Sequence, residues 1–473
     1  MCGETAQKHH VEFEPGSFRD RSGRIFYSGD EVYRALSPKA LAEWRVLEGA
    51  DFFQRLMAEG KVIATREASP ADAPEGEWAG ILRHERVPFV SYPYEWCFGM
   101  LRDAALLQLE LLLAALAEGM TLKDATPYNV QWRGSVPVFI DVLSFRGLEA
   151  GEPWVGYRQF CQLFLYPLLL QAYKGIPFQP WLRGCIDGIE PRTMRRVMSA
   201  RDVLRPGVLA DVVLHAISQE RFDQSASMNV RREMSKAGFS KELVIRNVRR
   251  LTRIVRGLPV PATVSSWSGY AESNSYDDAD RAAKEDFVAR VLAARRWGLV
   301  WDLGANTGRF ARLAVPHAEV VVALDADRAS VERVYQTARE TAATNPLALV
   351  YDLADPSPRQ GWRERERQDL RSRGRPDLAL CLALIHHVVI GANVRLHDFV
   401  DWLADLAPNV VLEFVLRADP MVERLLRHRE ETYEDYDLAP FERALEAGFQ
   451  VLERRELPSG RRILYSARSR RAA

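Results

Sequence analysis

Apolar residues follow different patterns in the two parts of this chain. In the C-terminal part, continuous apolar runs alternate with segments whose apolar positions recur every three or four residues, for example 328–344 and 394–406. Such runs predict strands buried on both faces, and the segments between them predict helices. The predicted strands are GLVWDL (298–303), EVVVALD (319–325), LALVYD (347–352), DLALCLAL (377–384) and VVLEFV (410–415). The alternation predicts an α/β fold with a mostly parallel sheet.

The last two strand-like segments differ from the others in how they are joined. FQVLERREL and RRILYSAR are separated only by PSG. A connection this short predicts a hairpin, because parallel strands need a longer crossover. One antiparallel strand is therefore expected at the end of the parallel sheet.

The N-terminal part combines short strand-like pieces with long helical ones. The pieces within residues 22–100 are GRIFYSGDEVYRAL, GKVIAT, ILRHERVPF and VSYPYEWCF. A long apolar helix is predicted at 101–119, and a mostly helical pattern extends from 156 to 258. LPVPATVSSWSG (258–269) has the composition of a linker. We therefore expect an α+β domain at 1–260, with a strand-rich lobe at about 20–100 and a helical lobe at about 101–260, followed by an α/β domain at 261–473.

Length, charge and cysteine content exclude several classes of protein. A chain of 473 residues is too long for one core, and its formal net charge of zero gives no bulk attraction to nucleic acid, so no nucleic-acid partner is expected. Its five cysteines form no Cys-x-x-Cys pair, which argues against disulfides and zinc and predicts a cytoplasmic protein. The most apolar run, 161–173, is too short to span a membrane. The oligomeric state stays open.

The sharpest motif is VWDLGANTGRFARLA, in which an apolar strand leads into Gly304 and Gly308 before a helix. Glycine allows close approach of the backbone to a ligand, and the start of a helix offers unpaired N–H groups. A dinucleotide-binding loop would need glycine at 304, 306 and 309, but the chain has Asn306 and Arg309. The spacing from Asp302 onward, D-x-G-x-x-x-G, resembles instead the first motif of class I S-adenosylmethionine methyltransferases.

That resemblance implies a Rossmann-like seven-stranded sheet and S-adenosylmethionine as the cofactor. Asp302, Gly304, Asn306 and Gly308 would form the cofactor loop. Asp325, twenty-one residues after Gly304, would accept both ribose hydroxyls, and Asp352 would contact the adenine. The alternative for Asp325 is an acid that caps the following helix.

The segment after the fourth strand, LALIHH, carries the candidate base. The [D/N]-P-P-[Y/F] signature of methyltransferases acting on base or amide nitrogens is absent, whereas His386 and His387 are placed at the expected mouth of the site. Imidazole is well suited to accept a proton from a hydroxyl near neutral pH. We expect one histidine to act as the base for O-methylation, while the other caps a helix. Glu413, at the end of the fifth strand, either orients a histidine or the substrate, or is a surface acid.

The stretch SSWSGYAESNSYDDADRAAKEDF resembles the segment that closes over the cofactor in these enzymes. Tyr270, Tyr276 and Lys284 are its candidate cofactor-binding residues, with plain packing as the alternative. More widely, long stretches such as LRDAALLQLELLLAALAEGMTLKDATPYNVQW and LALIHHVVIGANVRL resemble the NoeA-like nodulation-protein group of bacterial methyltransferases. The resemblance covers nearly the whole chain and implies a cytoplasmic bacterial enzyme. The group does not define the acceptor, for which we expect a small molecule or a saccharide-type compound.

A second candidate site lies in TLKDATPYNVQWRGSVPVFIDVLSF. Asp124, Asn129 and Asp141 have the D-x-x-x-x-N spacing, followed by a strand and a second Asp, with which kinases position the acceptor and bind Mg²⁺. The region resembles a kinase-like fold of the aminoglycoside-phosphotransferase type, in which Asn129 and Asp141 would hold the metal of bound ATP. Arg34 stands where the nucleotide-binding lysine is expected, with Glu43 or Glu48 as its partner. A clear glycine-rich loop and the His of H-R-D are missing.

Three functions remain compatible with these motifs. The first is a methyltransferase whose kinase-like part binds the acceptor or a partner without catalysis. The second is a bifunctional enzyme that phosphorylates and then methylates its acceptor. The third is a binding protein with a degenerate cofactor site, against which the intact glycine loop and Asp325 argue.

Overall fold

A computed structural model describes residues 11–68, 74–224, 240–260, 278–427 and 433–471. Its N-terminal sheet has five antiparallel strands in the order β1-β2-β3-β5-β4. The strands are β1 (Val11–Phe13), β2 (Gly23–Ser28), β3 (Glu31–Leu36), β4 (Thr65–Glu67) and β5 (Gly80–His84). Helices α1 (Pro38–Glu48) and α2 (Asp51–Ala58) connect β3 to β4, and α1 packs against β3.

The strand predicted at VSYPYEWCF is wrong. This segment is a buried turn around the short 3₁₀ helix Pro93–Glu95. Pro93 cannot donate to a strand ladder, and the Glu95 carboxylate accepts the backbone N–H of Tyr92 at 3.0 Å, which closes the turn. The apolar, β-like composition of the segment reflects burial of its aromatic side chains.

Helix α3 (Phe98–Ala117) confirms the predicted long helix, beginning three residues earlier than expected. It is apolar around most of its circumference because it is packed on several sides. Four short strands follow: β6 (Met120–Leu122), β7 (Val130–Arg133), β8 (Val136–Phe139) and β9 (Phe145–Gly147). β7 and β8 form a hairpin, and β6 pairs with β9.

The predicted helical region forms a layer around α3. Its helices are α4 (Tyr157–Phe160), α5 (Tyr166–Lys174), α6 (Gln179–Gly184), α7 (Pro191–Val197), α8 (His215–Gln224) and α9 (Lys241–Arg256). π-Helical turns at Cys161–Leu165 and Val208–Leu214 lead into α5 and α8. Helix α9 packs its apolar face against α3.

The C-terminal part confirms the mixed seven-stranded sheet, in the order β12-β11-β10-β13-β14-β16-β15. The strands are β10 (Trp297–Leu303), β11 (Ala318–Asp325), β12 (Leu347–Val350), β13 (Leu378–Cys381), β14 (Asn409–Val415), β15 (Phe449–Glu456) and β16 (Arg462–Ser469). β10 to β14 are parallel, and β16 lies antiparallel between β14 and β15. β13 ends three residues earlier than predicted, because Ala383 has a φ of 52° that a strand cannot accommodate.

Helices cover both faces of this sheet, as the sequence predicts. They are α10 (Asp278–Ala293), α11 (Arg309–Ala314), α12 (Arg328–Glu340), α13 (Leu396–Leu406), α14 (Pro420–Leu426) and α15 (Leu438–Gly448). Within the described ranges, no helix combines the length and apolarity needed to cross a bilayer.

The two parts of the chain share a continuous buried core. Arg373, from the long connection between β12 and β13, forms a buried ion pair with Glu95 at 2.6 Å. The Tyr335 hydroxyl of α12 donates to Asp103 of α3 at 2.8 Å. The domain boundary predicted at 260/261 stays a prediction, since residues 261–277 lie outside the described ranges.

Candidate active site

The glycine loop between β10 and α11 has the conformation that its two glycines allow. Gly304 and Gly308 have φ angles of 72° and 74°, in the left-handed region where other residues are strained. Packing adds a second constraint. A Cβ atom at Gly304 would lie 3.0 Å from Leu384, and one at Gly308 would lie 2.9 Å from Val334. Both positions therefore require glycine.

The loop is fixed to the carboxyl end of β11. The backbone N–H groups of Gly304 and Ala305 both donate to the Leu324 carbonyl, at 2.9 and 3.0 Å. Asn306 donates its backbone N–H to Oδ2 of Asp325 at 2.7 Å, and Asp327 donates to Oδ1 at 2.7 Å. The Asp325 carboxylate is thus held in one orientation by the loops on both sides of it.

Asp325 does not cap helix α12, so the alternative role that the sequence allowed for it, as a capping acid, is wrong. That role belongs to Asp327, whose carboxylate accepts the N–H groups of Ala329 and Ser330. Burial raises the pKa of Asp325, and the two backbone donors act in the opposite direction. The geometry leaves Asp325 as an oriented acceptor at the end of β11.

Beside this loop lies a cavity of about 620 Å³, bounded by the carboxyl ends of β10 to β13 and by helix α10. Its volume is in the range of small-molecule and cofactor sites. The predicted residues that line it are Lys284, Asp302, Gly304, Asn306, Asp325, Asp352 and His387. The structure brings these residues together at the edge where the parallel strands end, as expected for an open α/β sheet.

Two further acids of the site have contrasting surroundings. Asp302 is almost fully buried, and burial raises its pKa to about 7. Asp352 is exposed at the cavity wall, and its Oδ1 accepts the backbone N–H of Ala354 at 2.9 Å. Asp302 therefore belongs to the floor of the cavity, whereas Asp352 is available at its rim.

Glu413 is not a surface acid. It is fully buried in β14, where its Oε2 lies 2.5 Å from the Lys284 ammonium and its Oε1 lies 3.2 Å from the Arg462 guanidinium. Arg462 also pairs with buried Asp419 at 2.9 Å. The cavity wall includes Lys284 but not Glu413, and the catalytic role predicted for Glu413, to orient a histidine or the substrate, stays a prediction.

The two candidate histidines occupy different places. His387 is part of the cavity wall, but His386 is fully buried and is not, so its prediction at the mouth of the site is wrong. A turn after Leu384 places the adjacent rings 4.1 Å apart, with only His387 facing the cavity. Burial lowers the pKa of His387 to about 4, with a smaller effect of Arg462. His387 is therefore neutral at neutral pH and able to accept a proton or a hydrogen bond.

Some predicted residues cannot be placed, and others were missed. Tyr270 and Tyr276 lie outside the described residues. Two residues that line the cavity, Phe310 and Tyr351, were not predicted from the sequence. The Lys284 ammonium lies 4.9 Å from the centre of the Phe310 ring. The positions of Phe310 and Tyr351, directly after the glycine loop and after β12, are the signal that would have identified them.

The structure also brings the second set of predicted residues together. Asn129 and Asp141 flank the β7–β8 hairpin, whose pairing brings its two ends side by side. The Asn129 amide donates to Oδ2 of Asp141 at 3.2 Å, and Arg34 donates to Oδ1 at 2.8 Å. Burial, followed by the nearby Asp141 charge, raises the pKa of Asp124. These four residues form what we call the N-terminal cluster.

The contacts within the N-terminal cluster disagree with two details predicted for it. Arg34 pairs with Asp141, and at 3.9 Å with Asp20, rather than with Glu43 or Glu48. Both oxygens of Asp141 already accept hydrogen bonds from protein groups, and Asn129 presents its amide nitrogen to Asp141. In the described part of the chain, no group of three or more His, Cys, Asp or Glu side chains is arranged to hold a metal. A Mg²⁺ ion on Asn129 and Asp141 stays a prediction.

Comparison with known sequences gives one match along almost the full length. The nodulation protein NoeA of Rhizobium meliloti (strain 1021) is 35% identical over 461 residues, which cover 95% of each chain. No protein-family model matches the chain.

Comparison with solved structures gives only partial overlaps. The N-methyltransferase NodS from Bradyrhizobium japonicum WM9 covers 41% of this chain and 98% of its own, with 13% identity and a TM-score of 0.31. Magnesium protoporphyrin IX methyltransferase (ChlM) from Synechocystis PCC 6803 covers 43% and 93%, with 21% identity and a TM-score of 0.30. The bifunctional kinase-methyltransferase WbdD covers 44% and 42%, with 20% identity and a TM-score of 0.29. Scores this low support no conclusion about the chain.

Proposed function

The chain belongs to the family of the nodulation protein NoeA, and from the geometry of its cavity we propose that it is an S-adenosylmethionine-dependent methyltransferase. The observation that carries the proposal is the oriented Asp325 carboxylate beside the glycine loop. A carboxylate with two fixed oxygens can accept hydrogen bonds from two neighbouring hydroxyls, such as those of a ribose.

The residues around Asp325 suit the remaining parts of this cofactor. Tyr351 and Leu384 give the cavity apolar surface for a purine, and Asp352 at the rim can accept from an exocyclic amino group. At the other end, Lys284 and Asp302 provide a cation and an acid for an amino-acid group. When bound, S-adenosylmethionine supplies an electrophilic methyl group on a positively charged sulfur.

We propose His387 as the residue that accepts the acceptor's proton. It lines the cavity, and its imidazole is neutral at pH 7, so one ring nitrogen carries no proton. The residues that follow β13, Leu382 to Ile385, contain neither the acid or amide nor the prolines of the nitrogen-methylating signature. Both features favour an oxygen of a small-molecule or saccharide-type acceptor.

We propose that the N-terminal cluster binds the acceptor or a partner without phosphoryl transfer. Phosphoryl transfer needs compensation of charge on the phosphate oxygens, usually by Mg²⁺ on the second acid and the asparagine. Here Arg34 and Asn129 donate to the two oxygens of Asp141, so a metal ion on this acid would lie beside the Arg34 cation. The convergence of Arg34, Asp124, Asn129 and Asp141 in one cluster is the observation that keeps the bifunctional kinase-methyltransferase as the second candidate function.

The proposal is tested with S-adenosylmethionine carrying a ¹³C-labelled methyl group, incubated with the purified chain and fractionated small-molecule extracts. Formation of S-adenosylhomocysteine, together with a new carbon signal at the shift of an O-methyl group, is the expected result. A signal at the shift of an N-methyl group would contradict the assignment to oxygen. Absence of S-adenosylmethionine binding would contradict the proposed methyltransferase activity.

A further inference from the structure

Helix α9 carries a row of arginines on the side facing away from the core. It contains six basic residues and one acidic residue in a chain whose net charge is zero. Four exposed members, Arg246, Arg249, Arg253 and Arg256, are spaced so that they follow one face of the helix. We call these four the arginine stripe. The buried face opposite it consists of Val244, Val248, Leu251 and Val255.

Among the described residues of helix α9, the arginine stripe has one acid on its own face, Glu242, which lies one turn before Arg246. None of its four guanidinium groups forms an ion pair there. The adjacent Arg250 behaves differently, since it pairs with buried Asp211 at 2.6 Å. One acid faces four arginines on this helix, so the stripe keeps a net positive charge within the described structure, and about 15 Å of helix separates its ends.

Exposed leucines lie on the segment beside the stripe. The Arg250–Asp211 ion pair holds the π-helical turn Val208–Leu214 along α9, and a Cβ atom on Gly207 would lie 3.2 Å from Ile254. The two segments thus run antiparallel and side by side on the same core. Leu209 and Leu214 are half exposed, and Leu204 just before them is 91% exposed.

We propose that the arginine stripe and these leucines bind the surface of a bilayer that contains anionic phospholipids. Arginine side chains are attracted to the negative surface, and leucines next to them can enter the boundary between headgroups and acyl chains. Nucleic acid would also attract the stripe, but single-stranded nucleic acid is usually bound with aromatic side chains that stack on bases. Within the described residues of α9 and of the neighbouring segment 204–214, the exposed large apolar side chains are leucines. The surface places the enzyme peripherally on a membrane, and it is independent of the proposed methyl transfer.

The experiment is co-sedimentation of the full chain with phosphatidylcholine vesicles, with and without phosphatidylglycerol, at low and high salt. We expect binding only to the anionic vesicles and loss of binding at high salt. The double variant Arg249→Gln/Arg253→Gln should lower the partition coefficient about 25-fold, since each basic residue near the surface contributes about fivefold. Leu204→Ser/Leu209→Ser should also weaken binding, while the salt dependence remains.

The matched control is Arg290→Gln/Arg455→Gln, which removes two partly exposed arginines that pair with Asp286 and Glu453. This variant should bind the vesicles like the parent chain. The proposal is overturned if the parent chain does not bind anionic vesicles, or if the control variant loses as much binding as the stripe variant. It is also overturned if substitution of the stripe abolishes binding to duplex DNA but leaves binding to vesicles unchanged.

Discussion

The backbone N–H of Asn306 donates to Oδ2 of Asp325 at 2.7 Å, which joins the glycine loop to the acid at the end of the neighbouring strand. Asn306 has a positive φ of 48°, so this contact coincides with an uncommon backbone conformation. Loop and acid are therefore positioned by each other. A ligand that binds across the ends of β10 and β11 meets a preformed surface, which reduces the cost of ordering on binding.

His387 should be required for turnover but not for cofactor binding. Replacing a proton acceptor in the site typically costs about 10²–10⁴ in rate, so His387→Ala should lower kcat by that factor with little change in cofactor affinity. The pKa of about 4 also predicts that activity falls as the pH is lowered through about 4, where the imidazole becomes protonated. The rate of methyl transfer by the parent chain and by His387→Ala, measured as a function of pH, tests the expected loss of kcat and the expected fall of activity near pH 4.

The neighbouring histidine supplies the control. His386 is fully buried and its ring nitrogens have no partner among the described residues, so His386→Ala should affect stability more than kcat. Equal losses of kcat in folded His386→Ala and His387→Ala would contradict the assignment of the base. Full turnover by His387→Ala would exclude it.

Glu413→Gln should destabilise the chain strongly. The substitution leaves Lys284 and Arg462 buried next to each other without their shared acid. Breaking a buried ion pair costs about 3–5 kcal/mol. Urea denaturation measures the effect, with Glu453→Gln as the control, because Glu453 forms an exposed pair of about 0–1 kcal/mol. Similar losses in the two variants would show that burial of the Glu413 cluster is not the cause.

Asp302 should make stability depend on pH. Its pKa is raised to about 7 by burial, so between about pH 4 and about pH 7 the folded state binds a proton that the unfolded state has released. The contribution of this group to the free energy of unfolding therefore decreases as the pH rises through that window, by at most about 4 kcal/mol. Asp302→Asn removes the titration. The difference between parent and variant melting temperatures should change from about pH 5 to about pH 8, and a constant difference would contradict the raised pKa.

ATP with Mg²⁺ should leave the melting temperature of the parent chain unchanged. Arg34 and Asn129 donate to the two oxygens of Asp141, and the Arg34 cation would repel a metal ion bound there. Stabilisation by ATP that requires Mg²⁺ and disappears in Asp141→Ala would favour the bifunctional enzyme instead. Asp401→Ala, which alters an exposed acid paired with Arg471, is the control.

The sheet and its ligand edge could be predicted from sequence because both are encoded locally. Apolar runs predicted the bounds of β10 to β14 within a few residues. The spacing of Gly304, Gly308 and Asp325 predicted that these three residues lie at the ligand-binding edge of the sheet. The segment around Pro93 was predicted wrongly because its aromatic residues have high strand propensity, whereas tertiary burial and the Glu95 turn decide its structure.

The orientation of side chains and the pairing of residues far apart in the chain could not be predicted from the sequence. His386 and His387 are adjacent and identical in type, so only the turn after β13 decides which of them reaches the cavity. Glu413 is separated from Lys284 by more than a hundred residues, and no local pattern indicates that they pair. The buried charge cluster behind the cavity therefore needed the three-dimensional structure.

The most direct test of the central claim is calorimetric titration of the purified chain with S-adenosylmethionine. The parent chain should bind at one site, and Asp325→Ala should weaken binding by about 1.5–3 kcal/mol, as expected for loss of hydrogen bonds to a charged group. Asp401→Ala, which changes an acid that pairs with Arg471 and is not part of the cavity lining, should bind like the parent chain. No binding by the parent chain, or unchanged affinity in folded Asp325→Ala, would contradict the account.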